Sequence, residues 1–243
     1  DALTLSLRYG LPNQWDVDVI VPWRHHYGGF TDNLISSWHR FFGLPDGNRD
    51  SYPTDALHYQ LSQPEHDRRL IRSASGLGDI HVAVSRPVLA IDGGQLGISV
   101  GVKTASGQSA DWLGSGATDV YALLRFSGQQ LGGWPLWWHG QVGGTRAGDS
   151  DLLGPEQKRS LWFAGLAAEW RFTPRWSALI QYDGHSALLD GALEALGEPA
   201  GMLSMAVRWR PTAHWMIDAG FSEDVVVESA PDITFLLNVR YVP

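Results

Sequence analysis

The chain of 243 residues contains no cysteine, so it can form neither a disulfide framework nor a thiol nucleophile. No run of about 18 consecutive apolar residues occurs, and a transmembrane helix is therefore excluded. Charged residues make up only 18% of the chain, which is low for the surface of a soluble globular protein. The net charge of −8 argues against a nucleic-acid partner.

Tryptophan is abundant, and its placement is informative. The stretch WDVDVIVPW (15–23) puts three valines and both of its tryptophans on one side of a strand, and two aspartates on the other side. A soluble sheet would bury the valine side, but it would have no reason to end that side with an indole at each rim. Such a face instead favours exposure to lipid, with the indoles at the two membrane–water interfaces.

Strict alternation of apolar and polar residues recurs along the whole chain and predicts eleven strands. They are expected at 2–10, 15–23, 78–86, 96–104, 118–127, 134–143, 160–172, 175–183, 201–210, 214–222 and 232–242. Single-chain bacterial barrels have even strand numbers. The first strand begins almost at residue 1 and runs toward a short turn, and no signal peptide is visible. We therefore expect a processed or truncated start, with one further strand before residue 1 and twelve strands in total.

Short and long connections alternate between these strands. GLPNQ, SGQQLGG, TPR and TAH are short, whereas the other connections are long, polar and rich in glycine: 24–54, 105–117, 146–159, 184–200 and 222–231. Four strands begin on a tryptophan directly after a short turn: Trp15, Trp134, Trp176 and Trp215. This combination predicts an all-β fold with a single domain, residues 1–243: a transmembrane antiparallel up-and-down β-barrel with short periplasmic turns and long extracellular loops.

Two other architectures fit less well. A propeller with repeats of roughly forty residues would need four strands in each repeat, but each repeat here holds only one hairpin. A soluble barrel would alternate in the same way, but it would not place tryptophans at both rims of its apolar face. In the membrane barrel, the residues expected to face lipid include Leu3, Val19, Ile98, Leu124, Leu166, Val207 and Leu237.

Residues 24–76 are expected to form a long extracellular loop with a helix and a hairpin. FTDNLISSWHRFF (30–42) predicts a short amphipathic helix that Thr31 or Asp32 can cap. This helix would act as a lid or plug at the mouth, or would lie on the rim or in the outer leaflet. The residues of the lid would be Leu34, Trp38, His39 and Phe42. The hairpin would use 55–63 and 67–75, and it would raise the total to fourteen strands if it crossed the membrane.

Several segments resemble an uncharacterised, domain-of-unknown-function family of Gram-negative outer-membrane proteins. They are YGGFTDNLISSWHRFFGLPDGNRD (27–50), GLGDI (76–80), GVKTASG (101–107) and GSGATDV (114–120). The resemblance covers most of the chain and implies location and fold, but no activity and no catalytic residues. The last three segments are more loosely similar to barrels encoded beside pathways for aromatic-compound degradation, which implies the passage of small aromatic or hydrophobic compounds.

The inward face of the predicted barrel carries charges of both signs. The residues expected to line the pore are Arg8, Asp16, Asp18, Asp79, Lys103, Asp119, Arg125, His139, Glu169, Arg171, Arg208, Asp218 and Arg240. These charges can pair across strands and fill the lumen of a closed barrel, or they can line an open pore and set its selectivity. The sequence leaves both interpretations open, because it does not give the radius of the opening.

Catalysis and metal binding have little support in the sequence. A hydrolase would need a serine and histidine pair with an orienting acid, but Ser36, Ser37 and His39 lie on different faces of the predicted helix. DGNRDSYPTD (46–55) starts like a calcium loop, yet Ser51 stands where glycine is needed and Leu57 where the closing glutamate is needed. We therefore expect no cofactor and no metal site.

The sequence predicts a channel in the cell outer membrane for the passive passage of small molecules. A structural or interaction barrel with a closed lumen is the alternative, and a lipid-modifying hydrolase is a third. Contacts with outer-membrane lipids and lipopolysaccharide are expected from the location, together with a small-molecule solute, and no nucleic acid.

Overall fold

The alternating segments form the strands of an antiparallel sheet in the computed structural model, which describes residues 1–45, 51–91, 93–190, 194–226 and 233–242. The strands are β1 (Ala2–Leu11), β2 (Trp15–His26), β3 (Tyr59–Gln63), β4 (His66–Leu70), β5 (Ala74–Leu77), β6 (His81–Ile91), β7 (Gly94–Lys103), β8 (Asp119–Gln129), β9 (Leu136–Arg146), β10 (Ser160–Trp170), β11 (Trp176–His185), β12 (Ala200–Trp209), β13 (Trp215–Val226) and β14 (Thr234–Tyr241). The helices are α1 (Asp32–Phe42) and α2 (Glu194–Gly197).

Twelve strands belong to the main sheet, in an up-and-down order that follows the chain: β1, β2, then β6 through β14, with β5 also paired to β2. β5 and β6 pair with successive parts of β2, so they occupy one place in the sheet with an interruption at 78–80. The eleven predicted strands are thereby confirmed. Within the described residues β1 and β14 do not pair with each other, and both run toward the short turns. The strand before residue 1 stays a prediction.

The hairpin of the first long connection forms a sheet of its own. β3 pairs only with β4, and neither strand joins the main sheet. The alternative of fourteen strands is therefore wrong. The physical reason is visible in DRRLIRS, where Arg69 and Arg72 charge both sides of the segment and leave it no continuous apolar face.

The outward face of the main sheet is apolar and uncovered. Of the seven residues predicted to face lipid, Val19 is half-buried and the other six are exposed, among them Leu3 at 74% and Leu237 at 75%. An exposed apolar surface of this extent is not stable in water and is typical of a membrane barrel. At its short-turn end aromatic rings contact each other, as Trp176 and Trp209 do with centroids 5.8 Å apart. Trp134 lies in the turn before β9 and not within the strand.

Two glycines on the outward face make room for aromatic rings on neighbouring strands. Gly128 of β8 is the direct ladder partner of Trp138, and Gly140 of β9 is the direct partner of Phe126. A Cβ atom at Gly128 would lie 2.5 Å from the indole of Trp138, and one at Gly140 would overlap the ring of Phe126. Each ring therefore lies over a glycine of the opposite strand.

The predicted helix is confirmed as α1, but its predicted side-chain cap is not formed. The side chain of Thr31 makes no capping hydrogen bond. The carboxylate of Asp32 instead accepts a hydrogen bond of 2.7 Å from the backbone N–H of Asp55. The helix ends at Gly43, whose φ of 66° glycine adopts without steric cost. Among the described residues, no helix combines the length and the apolar character needed to cross a membrane.

Most of the buried apolar residues that the structure describes lie in the long connections and not in the barrel wall. They include Leu61, Leu70, Leu113, Ala147 and Leu189. We call this region the loop cap; it comprises the β3–β4 hairpin and the segments 104–118, 147–159 and 186–190.

Hydrogen bonds join the parts of the loop cap to each other. The side chain of Gln63 donates to the carbonyl of Leu153 at 2.8 Å, and Ser150 Oγ donates to the carbonyl of Ser115 at 2.7 Å. The backbone N–H of Asp190 donates to the carbonyl of Glu156 at 2.7 Å. The parts of the loop cap are therefore joined into one packed unit.

Candidate functional site

Small side chains occupy many inward positions in the middle of the barrel. Gly97, Ser99, Gly165, Ala167 and Ser204 lie there, although twelve strands can enclose a lumen narrow enough for long side chains to fill it. The space that remains contains two cavities. The first cavity, of about 410 Å³, is lined by β1, β2 and β6–β11. The second cavity, of about 570 Å³, is lined by β9–β14, and the two share His139, Ala167 and Gln181.

An ionic network lies at the short-turn end of the lumen. Glu169 accepts hydrogen bonds from Arg171 at 2.9 Å, Arg208 at 2.7 Å and Arg210 at 2.6 Å. Arg208 also forms a two-bond pair with Asp218, at 2.6 and 2.8 Å. The fully buried hydroxyl of Ser177 donates to Glu169 at 2.9 Å and accepts from Arg210 at 2.8 Å. We call these six residues the Glu169 cluster.

A second network lies at the long-loop end. Lys103 contacts Asp79 at 3.1 Å and Asp119 at 2.9 Å, and it donates to Ser115 Oγ. Asp79 also accepts hydrogen bonds from the backbone N–H groups of Gly107 at 2.9 Å and Ser115 at 2.8 Å. We call Asp79, Lys103, Ser115 and Asp119 the Asp79 cluster. It fastens the segment 104–118 of the loop cap to inward-facing residues of the barrel wall.

The three shorter segments that carry the family resemblance meet in this cluster. GLGDI supplies Asp79, GVKTASG supplies Lys103 and Gly107, and GSGATDV supplies Gly114, Ser115 and Asp119. A Cβ atom at Gly107 would lie 2.8 Å from Gly114 Cα, and one at Gly114 would overlap the carboxylate of Asp79. The glycines of these motifs are therefore needed for close approach of the backbone.

The environment of Asp79 favours its charged form. Burial raises the pKa of the Asp79 carboxyl group, but the hydrogen bonds from Ser115 and Gly107 and the contact with Lys103 lower it by more. The net pKa lies below the ordinary value of 3.8. Asp79 lies in the interruption between β5 and β6, outside the membrane-spanning strands.

Most ion pairs of the lumen run along the wall and not across the opening. Arg8 and Asp18, Lys103 and Asp119, and Arg208 and Asp218 are direct partners in the strand ladder. Glu169 reaches Arg208 over Ser177, which belongs to the strand between them. Pairs of neighbouring strands neutralise charge without placing side chains across the lumen. Most charges of the lumen therefore pair, and space remains between its walls.

The thirteen predicted pore-lining residues fall into three groups. Seven belong to the two clusters: Asp79, Lys103, Asp119, Glu169, Arg171, Arg208 and Asp218. Arg8 and Asp18 form a pair at 2.6 Å. The remaining four make no side-chain hydrogen bond or ion pair within the described part of the chain: Asp16, Arg125, His139 and Arg240. These four are the predicted residues with free polar groups, and they line the two cavities.

The predicted lid residues lie on α1, away from both cavities. Leu34 is 69% exposed, and Trp38 and Phe42 are also exposed, with their ring centroids 4.4 Å apart. His39 Nδ1 lies 2.7 Å from the carbonyl oxygen of Pro45. None of the four lines either cavity. Their role as a lid stays a prediction.

One residue that lines the short-turn mouth of the lumen was missed by sequence reasoning. Trp137 faces Glu169 across the β9–β10 ladder, and the guanidinium of Arg171 lies 3.6 Å from the centre of its indole ring. Its indole N–H donates to the side chain of Gln129 at 3.3 Å. The sequence does indicate an inward position for Trp137, because it lies two residues before His139 and therefore on the same face of the strand. The abundance of tryptophan at the expected membrane interfaces conceals this signal.

The described residues contain no arrangement that favours hydrolysis or metal binding. Ser37 donates to the carbonyl of Asn33 at 2.7 Å, and His26 Nε2 lies 3.1 Å from the carbonyl oxygen of Trp112. Within the described residues, no serine hydroxyl forms a hydrogen bond with a histidine ring. No group of three or more histidine, aspartate or glutamate side chains is placed to hold a metal ion there. The calcium-loop positions 46, 48 and 50 lie outside the described residues.

The fold and its lumen are those of an outer-membrane type of β-barrel. The chain belongs to the family described as protein of unknown function (DUF3187), whose model matches residues 1–242.

Solved structures share the architecture. The COG4313 outer membrane channel from Pseudomonas putida F1 superposes with a TM-score of 0.58 at 16% identity, covering 99% of this chain and 81% of that one. The NanC porin superposes with a TM-score of 0.53 at 8% identity, covering 100% of this chain and 93% of that one. These likenesses concern the fold alone. A comparison with curated proteins finds no match.

Proposed function

We propose that this protein is a channel of the cell outer membrane through which small molecules pass passively. The observation that carries the proposal is the lumen itself: two adjoining cavities of about 410 and 570 Å³ remain because inward positions are small and ion pairs follow the wall. The folds of a known outer-membrane channel and of a porin are similar, which supports the same kind of function.

The proposed location follows from the outward face. Its exposed apolar residues contact the outer-membrane lipids, and its aromatic residues lie at the interfaces. In this orientation the loop cap faces outside the cell, where it meets lipopolysaccharide, and the short turns face the periplasm.

Conductance of the purified barrel in planar bilayers tests the proposal. The wild type is expected to give resolved single-channel currents. Ser204→Trp places a large ring in the second cavity and is expected to lower the conductance severalfold. Val207→Trp, on the opposite face of β12 and outside the lining of the second cavity, serves as the matched control with unchanged conductance. Equal conductance of the two variants would show that current does not pass through this lumen.

A closed barrel with a structural or interaction role is the second candidate, and the loop cap favours it. The Asp79 cluster holds segment 104–118 against inward-facing residues at the long-loop end. Absence of current in the wild type and in a variant without residues 30–44 would support the closed barrel. Current that rises after this deletion would support the lid role of α1.

A further inference from the structure

Charged groups of both signs line the two cavities. Arg208 and Arg240 line the second cavity together with Glu169 and Asp218. Arg208 contacts both of these carboxylates, and Arg171 and Arg210 also contact Glu169. Arg8, Arg86 and Arg125 line the first cavity together with Asp16 and Asp183, and Arg8 is paired to Asp18. Both carboxylates of the second cavity are therefore already paired to arginines other than Arg240.

One guanidinium of the second cavity has no partner among the described residues. Arg171, Arg208 and Arg210 are all engaged by the carboxylates of their cluster. Arg240 of β14 makes no ion pair or hydrogen bond with its side chain within the described residues, and neither does Asn238, the inward residue beside it. A guanidinium fork and an amide N–H₂ together match the two oxygens of a carboxylate.

Part of the second cavity is apolar. Leu179, Ala206 and Leu236 occupy inward positions of β11, β12 and β14 and line the same space as Arg240. A solute that places a charged group at Arg240 therefore leaves its other end against aliphatic side chains. The volume of about 570 Å³ lies within the range of small-molecule sites, roughly 300–1,000 Å³.

We propose that the second cavity is a binding site for small organic carboxylates with an apolar body. The carboxylate accepts hydrogen bonds from Arg240 and Asn238, and the apolar body packs on Leu179, Ala206 and Leu236. The proposal rests on the proposed channel function, since it names the class of solute that the lumen takes. It also separates this class from neutral and cationic molecules of the same shape.

Calorimetric titration of the purified barrel in detergent tests the site directly. Benzoate is the probe, and benzyl alcohol and benzylammonium are its neutral and cationic counterparts. Acetate carries the carboxylate without the ring, so the difference in affinity between benzoate and acetate measures the contribution of the apolar contacts. Benzoate is expected to bind most tightly. Arg240→Gln is expected to weaken benzoate binding about tenfold, the equivalent of one charge-assisted hydrogen bond, and Arg240→Lys less so. Arg159→Gln, in an exposed pair of the loop cap, is the matched control and should bind as the wild type does.

The outcomes separate this inference from the proposed function. A barrel that conducts but binds benzoate no better than benzylammonium, or that is insensitive to Arg240→Gln, overturns the carboxylate site and leaves the channel standing. A barrel that binds benzoate through Arg240 but carries no current keeps the site and overturns the channel.

Discussion

Glu169 is the centre of the most highly connected ionic network in the lumen. Its side chain is 11% exposed and contacts three arginines and one serine. Three guanidinium groups held this close together repel each other unless a carboxylate lies between them. Glu169 therefore holds the three arginines together at the short-turn end of β10–β12.

Glu169→Gln is expected to destabilise the barrel, because it leaves buried guanidinium charge without its partner, at a cost on the order of 3 kcal/mol. Urea unfolding in lipid vesicles, followed by tryptophan fluorescence, measures this change. Arg159→Gln removes an exposed pair and is expected to change the free energy of unfolding by about 0–1 kcal/mol. Equal losses in the two variants would show that the Glu169 cluster has no special role.

Asp79 gives the loop cap a dependence on pH. Its pKa is lowered in the folded protein, so its contribution to stability is complete above the ordinary value of 3.8 and is lost as the pH falls below it. Pepsin cleavage within 104–118 is therefore expected to increase as the pH falls below 3.8. Asp79→Asn should be cleaved more readily throughout and show a weaker pH dependence. Asp149→Asn, at an exposed pair, should retain the wild-type pH profile.

The inward-facing residues could be predicted from parity alone, because side chains of a strand alternate between its faces. Their pairing could not. The register between strands and the small residues around them determine that Arg208 pairs with Asp218. They also determine that Arg240 has no partner among the described residues. Parity contains no information about either. Trp137 shows a further limit, since a strong expectation for tryptophan at the interface overrode its parity.

At the scale of the elements, the two faces of β12 differ in what they tolerate. Val207→Arg, on the outward face and 45% exposed, is expected to cost about 2–4 kcal/mol if it lies near the middle of the bilayer. Ser204→Arg on the inward face should cost less, because its charge meets water in the lumen. Heat-modifiable gel migration reports the temperature at which each folded barrel is lost. A lower temperature for Ser204→Arg than for Val207→Arg would reverse the assignment of the faces.

The strands were predictable because each has a clean apolar face, whereas the loop cap was not. The hairpin can be recognised in the sequence, but its contacts with 147–159 cannot, since they join the side chains of Gln63, His66 and Arg68 to backbone carbonyls. Bonds of this kind leave no pattern in the sequence. The same holds for the interruption at 78–80, where the chain leaves the ladder so that Asp79 can bind Ser115 and Gly107.

At the scale of the whole molecule, the loop cap and the short turns are expected on opposite sides of the membrane. The chain has no cysteine, so a label reacts only where a cysteine is introduced. Glu65→Cys, in the exposed turn of the β3–β4 hairpin, should react with an impermeant maleimide on intact cells. Ala213→Cys, in an exposed short turn, should react only after the outer membrane is opened. Preferential labelling at Ala213 on intact cells would invert the topology.

The reciprocal glycine–aromatic pairs of β8 and β9 bear on how the barrel assembles. A slip of two residues preserves the faces of both strands, so alternation by itself does not prevent it. Such a slip would bring Phe126 opposite Trp138 or Val142 in place of Gly140, and each ring would lose its position over a glycine. Phe126 and Trp138 therefore each lie over a glycine in only one register of this hairpin. The two pairs favour that register while the strands pair during assembly.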